Sequence, residues 1–400
     1  MLRQPQGPMT KKKPLQFYSD YDQYLDSQIF VFSLRSSLQH IHDPRKPDNQ
    51  SYPLVDLMII ILAAVIAGAN SIASIHQYST CKFEIFQRLL GIERAPSYSV
   101  FWWLLVRLEP TQLAEAFVQW VRLLPDEAKE RIIAVDGKRL NGAKRQLVHL
   151  VSAWDTGRSL LLGQVKTEQK SNEITAIPEL LKIVDLKDAV VTIDAAGCQK
   201  RIVEEIIARG GDYVIALKGN QGTLHAEAEN FFTQAREVGY ENTGCLLSKT
   251  TEKGHGRIEA REVVVARNLE WLASQKAWSK LETLIEVTAR REVKGKVTEE
   301  RRYYISSLDP TPERAGTLVR GHWCVENHLH WSMDVVFKED DCSVSVGHAP
   351  ENLAFFRRTA QMVIQTDLGG TKGIAEKRRQ AGWDDNYMVH LLGVFVKQVV

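Results

Sequence analysis

Two aspartates in this chain stand where a carboxylate is well placed for chemistry. Asp136 closes the apolar run Arg131-Ile-Ile-Ala-Val, and Asp194 closes Ala189-Val-Val-Thr-Ile. Both runs read as strands with the acid as the first polar residue at the carboxyl end, where open α/β sheets gather their reactive groups. Small residues follow, Gly137 in one case and Ala195, Ala196 and Gly197 in the other, which leaves room for a ligand. If the two strands are neighbours, two like charges face each other, which is costly unless a cation neutralises them. Hard oxygen donors of this kind suit Mg²⁺ or Mn²⁺. Either acid alone could equally cap a following helix; the doubled pattern favours a metal pair.

A third acid has to come from elsewhere. Residues 312–333 are expected to form one long helix, which carries Arg320-Gly-His-Trp-Cys-Val-Glu-Asn-His-Leu-His-Trp-Ser-Met-Asp334. Glu326 lies beside Trp323 and Val325, on or near an apolar face where an unpaired carboxylate is expensive. A structural ion pair is the plainer explanation of it. The same helix offers a rival ligand set, because His322, Glu326, His330 and Asp334 recur every four residues as zinc ligands do. A step of four advances about 400°, so the outer members of that row diverge by about 120° and only adjacent pairs can share an ion. No H-E-x-x-H accompanies them, and the strand-end acids are oxygen donors, so zinc is the lesser reading.

Other signals are weaker. Lys218-Gly-Asn-Gln-Gly222 after an apolar run resembles a phosphate loop only loosely, since G-x-x-x-x-G-K-[ST] is absent. No G-x-G-x-x-G follows a strand, so a nucleotide cofactor has no support, and no G-x-S-x-G elbow is present. The segment Lys253-Gly-His255-Gly-Arg257, with Arg261 following, is basic and glycine-lined. It suits backbone phosphates, or else it is a solvated hairpin tip.

The elements that must position these residues follow from pattern. Residues 1–19, with Pro5, Pro8, Pro14 and Lys11–Lys13, read as a flexible tail. Residues 20–125 read as an all-helical domain, with long apolar-periodic runs from Leu54 and capping serines at Ser71 and Ser97. From 130 to 400 the texture is α/β. A hairpin spans Val148–Val165, helices cover Glu173–Val184 and Gln199–Arg209, and a third buried strand is Tyr213–Leu217. About 244–307 the alternation breaks, with strands at Arg261–Arg267, Thr283–Ala289 and Arg301–Ser307 and a short helix at Leu269–Ala277. That segment is a β-rich insertion or an extension of the sheet. A further helix is expected over Glu351–Gly369.

Composition narrows the classes. The chain has 400 residues, 44% hydrophobic and 25% charged, and its 51 Lys plus Arg against 49 Asp plus Glu give a net charge of +2, which excludes a histone-like polycation. Cys81, Cys198, Cys245, Cys324 and Cys342 form no C-x-x-C, which argues against a zinc ribbon and for a reduced, cytoplasmic protein. The start of the chain has lysines but no apolar segment of the secretory kind behind them. The most apolar run, Leu57–Ala69, is shorter than the roughly 20 residues needed to span a membrane. It is expected to be a buried core helix.

Taken together, AVDGKRLNGA around Asp136, VTIDAAGCQK around Asp194, GDYVIALKGNQ, EKGHGRIEAR and HWCVENHLHWSMDVVFKEDD resemble bacterial insertion-sequence transposases. The resemblance is to the ISAs type, the H-repeat-associated proteins, and covers nearly the whole chain. It implies an RNase H-like DDE catalytic domain with a β-rich insertion, preceded by a helical associated domain. It also implies Asp136, Asp194 and Glu326 as the triad, holding two Mg²⁺ or Mn²⁺ ions with Asp136 between them. The implied activity is DNA cleavage and strand transfer by in-line phosphoryl transfer. Lys138, Lys218, His255, Arg257 and Arg261 are then expected on DNA phosphates, and a homodimer on double-stranded DNA is expected to do the work. Some relatives carry a Tyr, Arg and Lys signature around the glutamate; Val319, His322 and Met333 occupy those places here, so its role is not carried over. Asp334, Glu339 and Asp340 form a second acidic group that competes for the third place. A metal nuclease that never joins strands, and a silent DNA-binding remnant, are the alternatives.

Overall fold

The computed structural model describes residues 35–36, 38, 41–121, 130–140, 148–167, 173–254, 257–367, 369 and 371–397. A helical region comes first: α1 (Leu54–Ile66), α2 (Ile72–Cys81), α3 (Phe83–Leu90), α4 (Tyr98–Arg107) and α5 (Pro110–Val121). α1 is apolar on all sides and is accordingly buried all round. Its one acid, Asp56, is answered by Arg35 at 2.6 Å. Ser71 caps α2 through its hydroxyl, as its position predicts, whereas Ser97 holds the cap position of α4 without a side-chain hydrogen bond to it.

A nine-stranded sheet follows, built from β1 (Arg131–Leu140), β2 (Val148–Asp155), β3 (Leu160–Thr167), β4 (Ala189–Ile193), β5 (Asp212–Leu217), β6 (Leu246–Gly254), β7 (Arg257–Ala266), β8 (Thr283–Val293) and β9 (Lys296–Ser306). Their spatial order is β3-β2-β1-β4-β5-β9-β8-β7-β6. β1, β4 and β5 run parallel, linked by α6 (Glu173–Ile183) and α7 (Lys200–Ala208), and every other pairing is antiparallel. The β-rich segment extends the same sheet, because β9 pairs with β5 through Val214↔Ser306. α8 (Gly222–Val238) precedes it. The helix expected over Leu269–Ala277 is reduced to a single short turn at Gln275–Ala277.

Beyond the sheet, α9 (Pro312–Cys324) starts on a Thr311 cap and lays Ala315, Leu318 and Val319 against Val190, Val214, Val263 and Ile285. The single long helix expected here changes its winding. Val325–His330 and Ser332–Val336 are π-helical, with wider turns than an α-helix. Then come α10 (Ala349–Thr366), α11 (Ile374–Trp383) and α12 (Asp385–Lys397).

α10 joins the two parts of the molecule. It is buried along nearly its whole length despite carrying Asn352, Arg357 and Arg358. On one side the Asn352 amide donates to the Leu105 and Leu108 carbonyls at 2.9 and 2.8 Å, satisfying the carboxyl end of α4, and Phe355 meets Phe117 edge-on. On the other, Glu351 takes Lys166 of β3 at 2.6 Å. One hydrophobic core therefore runs from the N-terminal helices into the sheet.

Candidate active site at the β1–β4 ladder end

β1 and β4 pair in parallel as far as Val135↔Ile193. Asp136 and Asp194 are the next residues on each strand, so they leave the ladder side by side on strands about 4.8 Å apart. Asp136 is not at the end of β1, as its sequence pattern implied. The antiparallel ladder with β2 carries the strand on, from Asp136↔Ser152 to Leu140↔Val148. The β1–β4 ladder stops at Val135↔Ile193 while the β1–β2 ladder continues past Asp136.

Each aspartate is oriented by the chain that follows it. The Asp136 Oδ1 accepts from the Gly137 N–H at 2.8 Å. The Asp194 Oδ1 accepts from the N–H groups of Ala196 and Gly197 at 3.0 and 3.3 Å, heading a short turn. Asp194 thus does serve as a cap, through one of its two oxygens. The β5 loop is tied to that turn: Asn220 donates to the Ala195 carbonyl at 2.7 Å and Gln221 to the Cys198 carbonyl at 2.8 Å. Lys218, exposed, heads that loop at the carboxyl end of β5, the strand next to β4. Cys198 beneath the turn is buried, and burial together with the Asp194 charge pushes its thiol up to about 12, which makes it inert.

A histidine from the helix overhead stands against each aspartate. The His330 Nδ1 lies 3.5 Å from the Asp136 Oδ2. Burial, then the nearby Arg358 and Lys138 charges, pushes its imidazole down to about 3, so the ring is neutral at neutral pH. His322 is bonded to the Thr192 backbone in β4 within reach of the Asp194 charge, and burial lowers its pKa too. Within the row His322, Glu326, His330 and Asp334, His330 and Asp334 are directed apart: His330 lies at Asp136, while Asp334 pairs with Lys138. Among the described residues no group of three His, Cys, Asp or Glu side chains is arranged to hold a metal. The backbone of Glu326 lies in the first π-helical segment, which packs beside β1; its side chain is outside the described residues.

Behind the pair lies a buried ion cluster that sequence reasoning resolved only as competing acids. Glu339, 2% exposed, takes Arg358 at 2.9 Å, Lys138 at 3.5 Å and Arg357 at 4.0 Å. Burial pushes the Glu339 carboxyl up, but the three cations outweigh it and hold the group below the ordinary range. Glu339 is thereby committed to the interior. The available clue was the pair Arg357-Arg358 between the apolar runs Leu353–Phe356 and Met362–Ile364. Lys138, expected on DNA, is 8% exposed and bonded to Asp334 as well as Glu339. Gly137 is needed against a separate pair, His149 and Glu173, because a Cβ there would lie 2.0 Å from Glu173 Oε1 and 2.7 Å from His149 Nε2.

The other expected phosphate contacts are placed elsewhere. His255 is outside the described residues. Arg257 and Arg261 project from β7 and are both paired with Glu259, at 2.9 and 2.8 Å. The same hairpin is bound to α9 by Glu252 and Arg320 at 2.8 Å. Among the described residues no helix is long and apolar enough to cross a membrane.

Residues 127–362 match the family model "Transposase DDE domain", and residues 35–121 match the "DDE_Tnp_1-associated" model. The chain belongs to the DDE transposase family and is a transposase of the insertion-sequence kind. It is 35% identical over 373 residues to the H repeat-associated candidate transposase YhhI of Escherichia coli (strain K12), covering 90% of this chain and 98% of that one. It is 31% identical over 372 residues to the candidate transposase YncI of Escherichia coli O157:H7, covering 90% and 95%. Among solved structures, a piggyBac transposase synaptic complex with hairpin DNA aligns with 96% of this chain and 81% of its own at 11% identity and a TM-score of 0.40.

Proposed function

We propose that this chain cuts and joins DNA at the ends of an insertion element, by in-line displacement at phosphodiester bonds, with Asp136, Asp194 and Glu326 as its catalytic carboxylates. The observation that carries the proposal is the emergence of Asp136 and Asp194 side by side where the β1–β4 ladder ends. In this reading β3-β2-β1-β4-β5 is an RNase H-like core, with β6–β9 inserted before the helix that brings the third acid.

The donor set fits a pair of Mg²⁺ or Mn²⁺ ions. Both acids offer hard oxygens on adjacent strands, the histidines against them are held neutral, and Lys138, Arg357 and Arg358 are already taken up by Asp334 and Glu339. Asp136, Asp194 and Glu326 would hold the ions, which when bound activate the attacking hydroxyl and stabilise the departing oxygen. The protein's own contribution is positioning. The Ala196 and Gly197 N–H groups fix Asp194, the β2 ladder fixes Asp136, and Lys218 meets the phosphate from β5. Water as attacker nicks the element end; the released 3′-OH as attacker joins it to target DNA. Two copies acting together on paired ends, in the cytoplasm, complete the reading.

The test is cleavage of a labelled duplex carrying the flanking element end, in Mg²⁺, Mn²⁺ or EDTA, by the wild type, Asp136→Ala, Asp194→Ala and Glu326→Ala. Metal-dependent nicking lost in all three variants is expected. Nicking that survives Asp136→Ala overturns the assignment, and nicking without joining reduces the enzyme to a nuclease.

A further inference from the structure

The helical region carries a cavity of about 760 Å³, remote in sequence from the carboxylates. It lies between the loop before α1 and the amino end of α4. Four cations line it, Arg45, Lys46, Arg94 and Arg107, against the single acid Asp48. The hydroxyls of Ser51, Ser97 and Ser99 share the wall, and Ser97 does not spend its hydroxyl on capping α4. Trp103, 43% exposed, has the Arg107 guanidinium 4.1 Å over its ring.

Arg45 shows that the site is built. Its side chain is buried and fixed by Asp43 at 2.5 Å and by the Tyr52 carbonyl at 2.8 Å. Its Nη1, also buried, finds no hydrogen-bond partner among the described residues. A buried guanidinium N–H without an acceptor is costly, and it belongs to a side chain that lines the cavity. Lys46, Arg94 and Arg107 are exposed around it.

We propose that this cavity binds backbone phosphates of double-stranded DNA, with Trp103 packed against the sugar, as a second contact on the same substrate. The inference rests on the DNA-processing reading above. Its chemistry is that of backbone positioning: clustered Arg and Lys, hydroxyls, and a helix amino end. The volume is far larger than one phosphate needs, and the aromatic wall suits a nucleotide unit better than a bare anion. Arg45 supplies the fixed donor, and the three exposed cations follow the strand.

The measurement is fluorescence anisotropy of a labelled element-end duplex with the full chain in EDTA, so that binding is read without cleavage, over a range of KCl. Lys46→Ala/Arg94→Ala is expected to bind roughly tenfold more weakly near 0.1 M salt. Its log–log salt slope should be shallower by about 2, one for each phosphate no longer neutralised. Lys182→Ala/Lys187→Ala, the same charge change on a different surface, should keep the wild-type slope. Equal losses in both pairs, or an unchanged slope in the first, overturn the proposal. Inorganic phosphate or dAMP bound in the cavity with an unaltered duplex slope makes it a small-anion site and also overturns it. Loss of nicking in Asp136→Ala with the slopes as expected supports both readings. A failure to nick at all, with the slopes as expected, removes only the catalytic one.

Discussion

His330 and Asp136 face each other across 3.5 Å, ring nitrogen to carboxylate oxygen, with the histidine delivered by a π-wound turn. Because burial and the cations behind it keep the ring neutral, it contributes a polar wall for the carboxylate without cancelling its charge. We expect His330→Ala to lower the cleavage rate by about 10–100-fold, the usual cost of losing a group that orients a metal-binding carboxylate. Duplex affinity in EDTA should be unchanged. An unchanged rate over a full Mg²⁺ titration would show that Asp136 needs no such support.

Lys138 and Lys218 should separate cleanly. Lys138 is enclosed by Asp334 and Glu339, whereas Lys218 is exposed at the carboxyl end of β5. Lys218→Ala should reduce the salt slope of duplex binding by about 1 and leave stability alone. Lys138→Ala should do the reverse, lowering the urea midpoint with little change in slope. A salt-slope change in the Lys138 variant would return that lysine to the DNA surface.

Glu339→Gln removes the carboxylate that Arg358 meets in the interior, along with the partner of Arg357 and one of Lys138. Breaking a buried pair from one side costs about 3–5 kcal/mol. Equilibrium unfolding should register a loss of that order. A loss below about 1 kcal/mol would mean that the cations find water instead.

Much of this was legible in the chain. Asp136 and Asp194 were visible because an acid after a β-branched run has a distinctive local pattern, and Ser71 because a cap acts within three residues. β6 was not, since Leu246–Gly254 is half-buried at one residue and exposed at the rest and so has no alternation to read. The π winding was hidden because the same four-residue spacing of polar groups fits an ordinary helix. The Glu339 cluster joins residues far apart in sequence that would each pass for solvated charges. Only packing decides that Lys138 points inward and Lys218 outward.

Asp367 offers a test by acid. Tyr387 donates to it at 2.7 Å, the Gly369 N–H at 3.0 Å, and Lys377 and His390 stand at 3.3 and 3.7 Å. Burial alone would raise its pKa, but these partners outweigh it and hold the carboxyl well below its ordinary 3.8. A depressed folded-state value gives stability that is complete above the ordinary value and is lost as pH falls beneath it. Asp367→Asn should therefore be less stable by about 2 kcal/mol at pH 7, with a flatter decline below about pH 4. An acid limb as steep as the wild type's would place the titrating group elsewhere.

One further property follows from α10. Chains of this length commonly unfold in stages, one unit at a time. Here a single buried helix closes the end of α4 with Asn352 and fastens β3 with Glu351. Neither half keeps its interior if the other lets go, so heat should melt the molecule in one cooperative transition. A protease cutting between residues 121 and 130 should release no fragment able to stand alone.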